Sequence, residues 1–196
     1  MRELPITIFR PSIIVGDSET GRTTGFNGLY FPLRLICQGA IKVLPGSRYT
    51  PMDVVPLDFV SDAIDHIFLK TNGSIGQTYH LTAGQGKAST TGEIADLAVD
   101  YFNQAGVKPH LQRMGFVPLE LYHTAKRFST QGERRVLQAM MAYEPYLCIE
   151  RWFDNTNTCA ALRGTSVEAP PFKAYYQAIL RYCIAANWGR RMKHAA

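Results

Sequence analysis

A chain of 196 residues that is 46% hydrophobic and 11% aromatic can bury a sizeable core, so its composition excludes an intrinsically disordered protein. The net charge of +5 indicates either an ordinary solvated surface or one that attracts anionic ligands. Lysines and arginines are scattered, without a basic stripe interleaved with aromatic residues, so nucleic acid is not an expected partner.

The cysteines and the apolar runs indicate the compartment. Cys37, Cys148, Cys159 and Cys183 form no Cys-x-x-Cys pair, and no histidine lies at ligand spacing from them, so free thiols are expected rather than disulfides or zinc. No apolar run reaches the roughly 18 residues that a membrane helix needs, and the N-terminal segment does not fit a signal peptide. The sequence therefore predicts a cytoplasmic protein without a membrane span.

The first predicted element is a strand that ends at a proline. The apolar, β-branched run from Leu4 to Phe9 predicts a buried strand, and Arg10-Pro11 ends it because proline has no N–H for the ladder. A second apolar run leads to Gly16-Asp17-Ser18, which is typical of a turn. Open α/β sheets bind ligands at the carboxyl ends of their strands, so we expect a site here.

The next elements alternate between helices and short strands. After a loop over 20–28, a helix is predicted through 36, with Pro32 in its first turn and Gly39 at its end. Strands over 41–46 and 52–56 are expected to pair as a small accessory sheet. A helix over 58–68 and a strand over 77–82 follow, and Thr90 and Glu93 have the spacing of a capping box for another helix.

From residue 107 the pattern is mainly helical. Helices are predicted over 119–128, 133–143, 155–162 and 172–186. Met140 and Met141 are either core residues or an adaptable wall for an acyl chain. The expected domains are therefore 1–106, the end of a sheet with a substrate-binding subdomain, and 107–196, a mostly helical extension.

Three motifs resemble a known family. They are the run IFRPSIIVGDS at 8–18 with Thr20-Gly21, MDVVPLDFVSDAI at 52–64, and YHLT at 79–82. In this order they resemble the extended short-chain dehydrogenase/reductases, and the Gly-Asp-Ser-x-Thr-Gly ending is closest to the thioester reductase and fatty acyl-CoA reductase branch. The resemblance covers roughly residues 4–105. It implies an α/β fold, the C-terminal part of a Rossmann-like reductase with a helix-rich substrate-binding subdomain and few strands.

Two parts of the family pattern have no counterpart at the expected place. The glycine-rich dinucleotide turn and the catalytic Tyr-x-x-x-Lys pair lie upstream of the Arg-Pro strand in the family. Gly84-Gln85-Gly86 lacks a third glycine, and the match Tyr122-His123-Thr124-Ala125-Lys126 follows both strands, where a packed Tyr beside a solvated Lys is expected instead. We therefore expect the C-terminal half of a reductase, as a truncation, a separately encoded half or a misplaced gene start.

The resemblance implies a substrate-binding half of an NADP-dependent reductase of acyl thioesters, bound to coenzyme A or to a carrier, with a role in lipid metabolism. NADP is expected only together with the missing N-terminal half, and the chain alone is expected to be inactive. Four residues are expected to close over the nicotinamide end of the cofactor: Phe9, Arg10, Pro11 and Ser12. Four others are expected at the substrate mouth: Asp17, Ser18, Phe26 and Tyr30.

Three alternatives stay open at this point. The Arg-Pro strand also occurs in sugar-nucleotide epimerases and hydroxysteroid-type dehydrogenases. The absent catalytic pair favours a non-catalytic binding or assembly module for the chain as given. Asp53 is expected to be a paired or capping carboxylate rather than a catalytic acid.

A sheet that lacks its neighbouring strands exposes an apolar edge, so we expect self-association or pairing with the missing half.

Overall fold

The computed structural model describes residues 4–71, 73–108, 110–127 and 130–190, without the side chains of 125–127, 132 and 133. Within that part the fold is mixed α/β, as the sequence predicts, and short strand pairs lie among packed helices. The strands, in chain order, are β1 Ile8–Pro11, β2 Ile13–Val15, β3 Val43–Pro45, β4 Pro51–Met52, β5 Val54–Pro56, β6 Thr78–Leu81, β7 Ser89–Thr90 and β8 Gly115–Val117.

Helices make up most of the described structure. The α-helices are α1 Tyr30–Cys37, α2 Leu57–Lys70, α3 Thr91–Gln104, α4 Leu119–Arg127, α5 Gln131–Met141, α6 Glu144–Leu147, α7 Thr156–Ala161 and α8 Tyr176–Ala185. Two short 3-10 helices, Phe172–Ala174 and Asn187–Gly189, flank α8. Residues 191–196 of the predicted basic tail lie outside the described part.

Strand β1 pairs in parallel with β6, with Ile8 opposite Thr78 and Pro11 opposite Leu81. The prediction that this strand is buried is wrong, because Ile6 is 53% and Ile8 is 42% exposed. The described chain supplies β1 with a partner on one edge only, so its apolar side chains are not covered. The predicted end at proline is confirmed, since Ser12 begins a short crossing to β2, which has a different partner.

The prediction that the segments 41–46 and 52–56 pair as an accessory sheet is also wrong. Strand β5 pairs in parallel with β2, and β3 pairs in parallel with β8, so the two segments do not pair with each other. The apolar run Ile13–Val15 offers β5 a ladder with Ile13 opposite Val54. Between β3 and β5, the two-residue β4 pairs antiparallel with β7 instead.

Local signals place the helix ends well. The Thr90 hydroxyl accepts a hydrogen bond from the Glu93 N–H at 3.1 Å, which confirms the predicted cap of α3. Gly39 adopts a φ of +64° just after α1, as the predicted C-terminal glycine requires. The predicted helix over 172–186 is instead split, because Tyr175 leaves helical geometry at φ −129°. Its buried hydroxyl donates to the Val54 carbonyl at 3.0 Å.

Two apolar clusters form the core. The larger one combines α1, α3 and α8 with β2, β3 and β5, and its buried members include Leu33, Phe102 and Ile179. The smaller one lies between α2, β6 and α7. The carboxyl ends of β1 and β6 lie side by side, since the Ser12 N–H donates to the Leu81 carbonyl at 3.1 Å. Ser12 also lines the cavity described next.

Candidate functional site

A cavity of about 900 Å³ opens at the carboxyl end of β1. Pro11 and Ser12 lie at this end, Tyr30 and Leu33 of α1 form one wall, and Ile94 of α3 closes the interior. Most of the lining side chains are apolar, so the cavity suits an apolar group rather than a strongly polar one.

A second wall comes from the C-terminal region. Residues of 142–153, among them Tyr143, Leu147 and Phe153, line the cavity opposite α1. Tyr143 stacks on Phe31 with ring centroids 5.4 Å apart, which fixes this wall against α1. The mouth is marked by exposed lining residues, among them Ala142 and the large apolar side chains of Ile14, Leu57, Tyr146, Ile149 and Phe153. Arg151 is the one cation among the described lining residues.

Asp53 joins three segments beside the cavity. Its carboxylate accepts hydrogen bonds from the Ser12 hydroxyl at 2.6 Å and from the N–H groups of Ala83 and Gly84, both at 2.9 Å. It thereby ties the crossing after β1 to the loop after β6. The expectation of a paired carboxylate is supported, although Asp53 also lines the cavity. All of these bonds use the carboxylate as an acceptor, so Asp53 holds the ends of β1 and β6 together.

The turn after β2 is held by two further carboxylates. Asp17 accepts from the Thr20 hydroxyl at 2.6 Å and from the Thr20 N–H at 2.8 Å, and these bonds lower the pKa of Asp17. Asp58, near the start of α2, accepts from the Ser18 N–H at 2.8 Å and the Ser18 hydroxyl at 2.6 Å. The turn is thus fastened to α2, and its polar side chains are already engaged.

Tyr30 of α1 also holds the turn after β2 in place. Its hydroxyl accepts a hydrogen bond from the Gly16 N–H at 2.7 Å, and burial raises the pKa of the phenol to about 12. Phe26 packs edge-on against Tyr30 and stacks on Tyr182 of α8. A phenol with a raised pKa stays neutral near pH 7, so Tyr30 contributes shape and a fixed hydrogen bond to the cavity wall.

The structure brings only some of the predicted site residues to the cavity. Pro11, Ser12 and Tyr30 line it, and Phe26 stands behind Tyr30. Phe9 stacks on Tyr79 in the strand pair, and Arg10 is exposed. The roles assigned to these residues, and to Asp17 and Ser18, stay predictions.

Two features of the site were missed by the sequence reasoning. One is the wall over 142–153, which no motif marks because its position depends on long-range packing. The other is the three-way junction at Asp53. A carboxylate between two short apolar runs was the available signal for it, but its partners at Ser12 and Gly84 are 41 and 31 residues away.

A dinucleotide needs more than the described residues supply. The turn at Gly84-Gln85-Gly86 leads into β7 rather than into a helix, so it does not present a helix N-terminus to a diphosphate. The Ser12 N–H donates to the Leu81 carbonyl at 3.1 Å and its hydroxyl to Asp53, so neither donor is free. Among the described residues, the turn at Gly84-Gln85-Gly86 therefore does not offer the diphosphate site that a glycine-rich dinucleotide turn provides.

Other kinds of site can be assessed in the same part of the chain. Tyr122 is buried with a pKa raised to about 12 by desolvation, and the side chain of Lys126 lies outside the described residues. The described residues contain no group of three or more side chains suited to hold a metal ion. They also contain no helix that is long and apolar enough to cross a membrane.

Comparisons with known proteins show what this chain resembles. A family model described as male sterility protein matches residues 1–64. The nonribosomal peptide synthetase FrzA of Cladobotryum sp is 31% identical over 177 residues, which are 83% of this chain and 16% of that protein. The aldehyde reductase lnaA of Aspergillus flavus is 27% identical over 177 residues, 82% of this chain and 16% of that protein. The chain thus spans about a sixth of the length of these curated relatives.

The fold agrees with this assignment. The terminal R domain from the myxalamid PKS-NRPS biosynthetic pathway superposes with a TM-score of 0.66 at 24% identity, over 94% of this chain and 45% of that chain. The family model covers the first third of the chain, and the match to a peptide synthetase covers most of it. The chain therefore resembles the extended short-chain dehydrogenase/reductases of the thioester reductase kind, and it aligns with less than half of the R-domain chain.

Proposed function

We propose that this chain is the substrate-binding part of an NADP-dependent reductase that acts on acyl thioesters. The observation that carries the proposal is the cavity of about 900 Å³, which is lined mainly by apolar side chains and opens at the carboxyl end of β1. The names of two relatives, a nonribosomal peptide synthetase and an aldehyde reductase, support a carrier-bound acyl substrate and a reduction that involves an aldehyde.

The lining supports an acyl group over a sugar nucleotide. Leu33, Ile36 and Ile94 face the interior, where a sugar would leave several hydroxyl groups without hydrogen-bond partners. The walls at α1 and at 142–153 would hold the acyl chain and exclude water from the thioester. Arg151 at the exposed wall would attract the phosphate of coenzyme A or of a phosphopantetheine arm.

The cofactor would be shared with a second part of the reductase. In this proposal Phe9, Arg10, Pro11 and Ser12 border the nicotinamide end, while the diphosphate and the catalytic Tyr and Lys belong to the N-terminal part of the domain. Bound NADP would supply the hydride. Asp17, Ser18, Phe26 and Tyr30 would shape the substrate mouth, chiefly through the turn that Asp58 and Gly16 hold in place. Alone, the chain would bind a substrate without turning it over.

The surface of β1 supports pairing with that N-terminal part. The outer edge of β1 has no strand partner among the described residues, and Leu4, Ile6 and Ile8 are exposed along it. A matching face on α2 exposes Ile64 and Phe68, four residues apart on the same side of the helix. An added parallel strand would satisfy the backbone edge and cover these side chains.

A binding experiment tests the substrate class. We expect dodecanoyl-coenzyme A to raise the melting temperature of the 196-residue protein in a saturable way, whereas coenzyme A alone and UDP-glucose produce smaller shifts. NADPH alone is expected to leave the melting temperature unchanged. A shift with UDP-glucose instead would support the epimerase alternative, and no shift with any acyl thioester would contradict the proposal.

Two tryptophan variants locate the binding. Ala142 is exposed and lines the cavity, and Ala185 is exposed on α8 away from it. Ala142→Trp should fill the mouth and weaken acyl binding about tenfold or more, which corresponds to about 1.4 kcal/mol. Ala185→Trp is the matched control and should bind as the unmodified protein does. Equal affinities of the two variants would place the acyl group elsewhere.

A further inference from the structure

A second cavity, of about 350 Å³, lies between α7 and the loop that follows β6. Thr82, Ala83 and Lys87 border it from the loop, and Cys159, Leu162 and Arg163 border it from α7 and its C-terminal end. It shares no lining residue with the cavity at β1. The proposed function therefore does not use it.

One lining residue of this cavity carries a buried polar group without a partner. Thr82 directly follows β6 and is only 3% exposed, and its hydroxyl has no hydrogen-bond partner. A buried hydroxyl without a partner destabilises a protein, so each such group calls for an explanation. A ligand atom that accepts a hydrogen bond from Thr82 would supply one.

The walls of the cavity are fixed before any ligand arrives. The Thr158 hydroxyl donates to the His80 carbonyl at 2.8 Å, and the Asn157 amide donates to the Thr78 carbonyl at 3.0 Å. These bonds hold α7 against β6. The loop after β6 is held in turn by Asp53, which accepts from the N–H of Ala83. A ligand would therefore enter a largely preformed site.

The charges around the cavity favour an anion. The Lys87 ammonium contacts the Glu168 carboxylate and donates to the Ala169 carbonyl at 3.0 Å, whereas Arg163 forms no ion pair with the described residues. The ionised lining groups are thus two cations and one carboxylate, an excess of one positive charge. Apolar surface completes the lining at Phe59, Leu162 and Val167.

We infer that this cavity binds a small organic anion, a carboxylate or phosphate group on a short apolar body. Thr82 donates a hydrogen bond to the anionic group, and Arg163 with Lys87 supplies the positive charge. The apolar body packs on Phe59 and Leu162. This assignment is independent of the reductase proposal, because neither the cavity at β1 nor a reaction is involved.

Titration of the 196-residue protein with two probes tests the inference. Butanoate and inorganic phosphate are added separately at constant ionic strength, and the backbone amide signals of residues 82–87 and 159–163 are followed by NMR. We expect at least one probe to saturate with a Kd of about 1 mM or tighter. Saturation by butanoate alone identifies a carboxylate ligand, and saturation by phosphate alone identifies a phosphate ligand. Failure of both overturns the inference.

Two variants separate a binding role from a structural one. Thr82→Val keeps the shape of the side chain and removes the unpaired hydroxyl. Its affinity for the saturating probe should fall about tenfold while the melting temperature holds or rises. Arg163→Gln should also lose about tenfold in affinity, whereas Arg22→Gln, an exposed arginine outside this cavity, should lose none. A lower melting temperature for Thr82→Val, or unchanged affinity in both cavity variants, would contradict the assignment.

Discussion

At the scale of single residues, the Asp53 side chain connects three segments of the site that are distant in sequence. Its carboxylate receives three hydrogen bonds, from the Ser12 hydroxyl and from the N–H groups of Ala83 and Gly84. An asparagine side chain has only one oxygen that can accept these bonds. Its NH2 group would face donors and could not accept from them. We therefore expect Asp53→Asn to lower the free energy of unfolding by about 2 kcal/mol, measured by urea denaturation.

The control for this variant is a carboxylate that makes no such contacts. Asp62 is exposed on α2, and Asp62→Asn should change the free energy of unfolding by about 0.5 kcal/mol or less. The two variants remove the same charge, so a general effect of net charge would appear in both. Equal losses would show that the Asp53 bonds do not hold the strand ends together.

At the scale of elements, the turn after β2 and helix α8 approach each other at Gly21. This residue has a φ of +73°, and a Cβ placed there would lie 2.0 Å from the carbonyl oxygen of Ala178. The contact is with backbone, which cannot rotate away. Gly21→Ala should therefore cost about 3 kcal/mol or more in the free energy of unfolding. It should also weaken acyl binding, because the turn leads directly into Thr23 and Thr24, which line the cavity.

Gly76 separates the effect of the clash from the effect of the backbone conformation. It has a similar φ of +79°, but a Cβ there would have no atom within 4 Å. Gly76→Ala should cost about 1 kcal/mol, the usual penalty for alanine in the left-handed region. If the two variants lost the same stability in thermal or urea unfolding, close packing between the turn and α8 would play no part.

Elements were predictable from sequence where their signals are local. The Thr90 cap, Gly39 after α1 and the strand ending at Pro11 depend on residues within a few positions, and all three are confirmed. Strand partners depend on distant segments. Strands β3 and β5 were expected to pair with each other, yet each pairs with a strand that lies more than 35 residues away in the sequence. The exposure of β1 also depends on which neighbours the chain provides.

The candidate site shows the same division between local and distant information. Ser12 and Tyr30 could be predicted to border a ligand because the strand–turn pattern around them is local, and both line the cavity. The wall over 142–153 meets α1 through the stack of Tyr143 on Phe31, a contact across more than 100 residues that no periodicity encodes. Such contacts form only when the whole core has assembled.

At the scale of the whole molecule, the core crosses the predicted boundary between 1–106 and 107–196. Phe102 of α3, which is fully buried, lies 6.4 Å between ring centroids from Trp188, and the Tyr175 hydroxyl donates to the Val54 carbonyl. Ile179 of α8 is fully buried in the same cluster. A chain that ends at residue 106 would lose ten of the 26 buried members of this cluster and would expose the apolar side of α3 to water.

We therefore expect a chain of residues 1–106 to lack a cooperative unfolding transition when it is produced alone. Circular dichroism during thermal and urea unfolding measures this, with the 196-residue chain as the reference. Adding a separate chain of residues 107–196 should restore a transition, because the two parts complete one core rather than two. The predicted two-domain division holds instead if 1–106 alone unfolds cooperatively and the slope of its unfolding free energy against urea concentration fits a chain of its length. The cavity would then belong to an interface between domains, since its wall over 142–153 lies on the other side of the boundary.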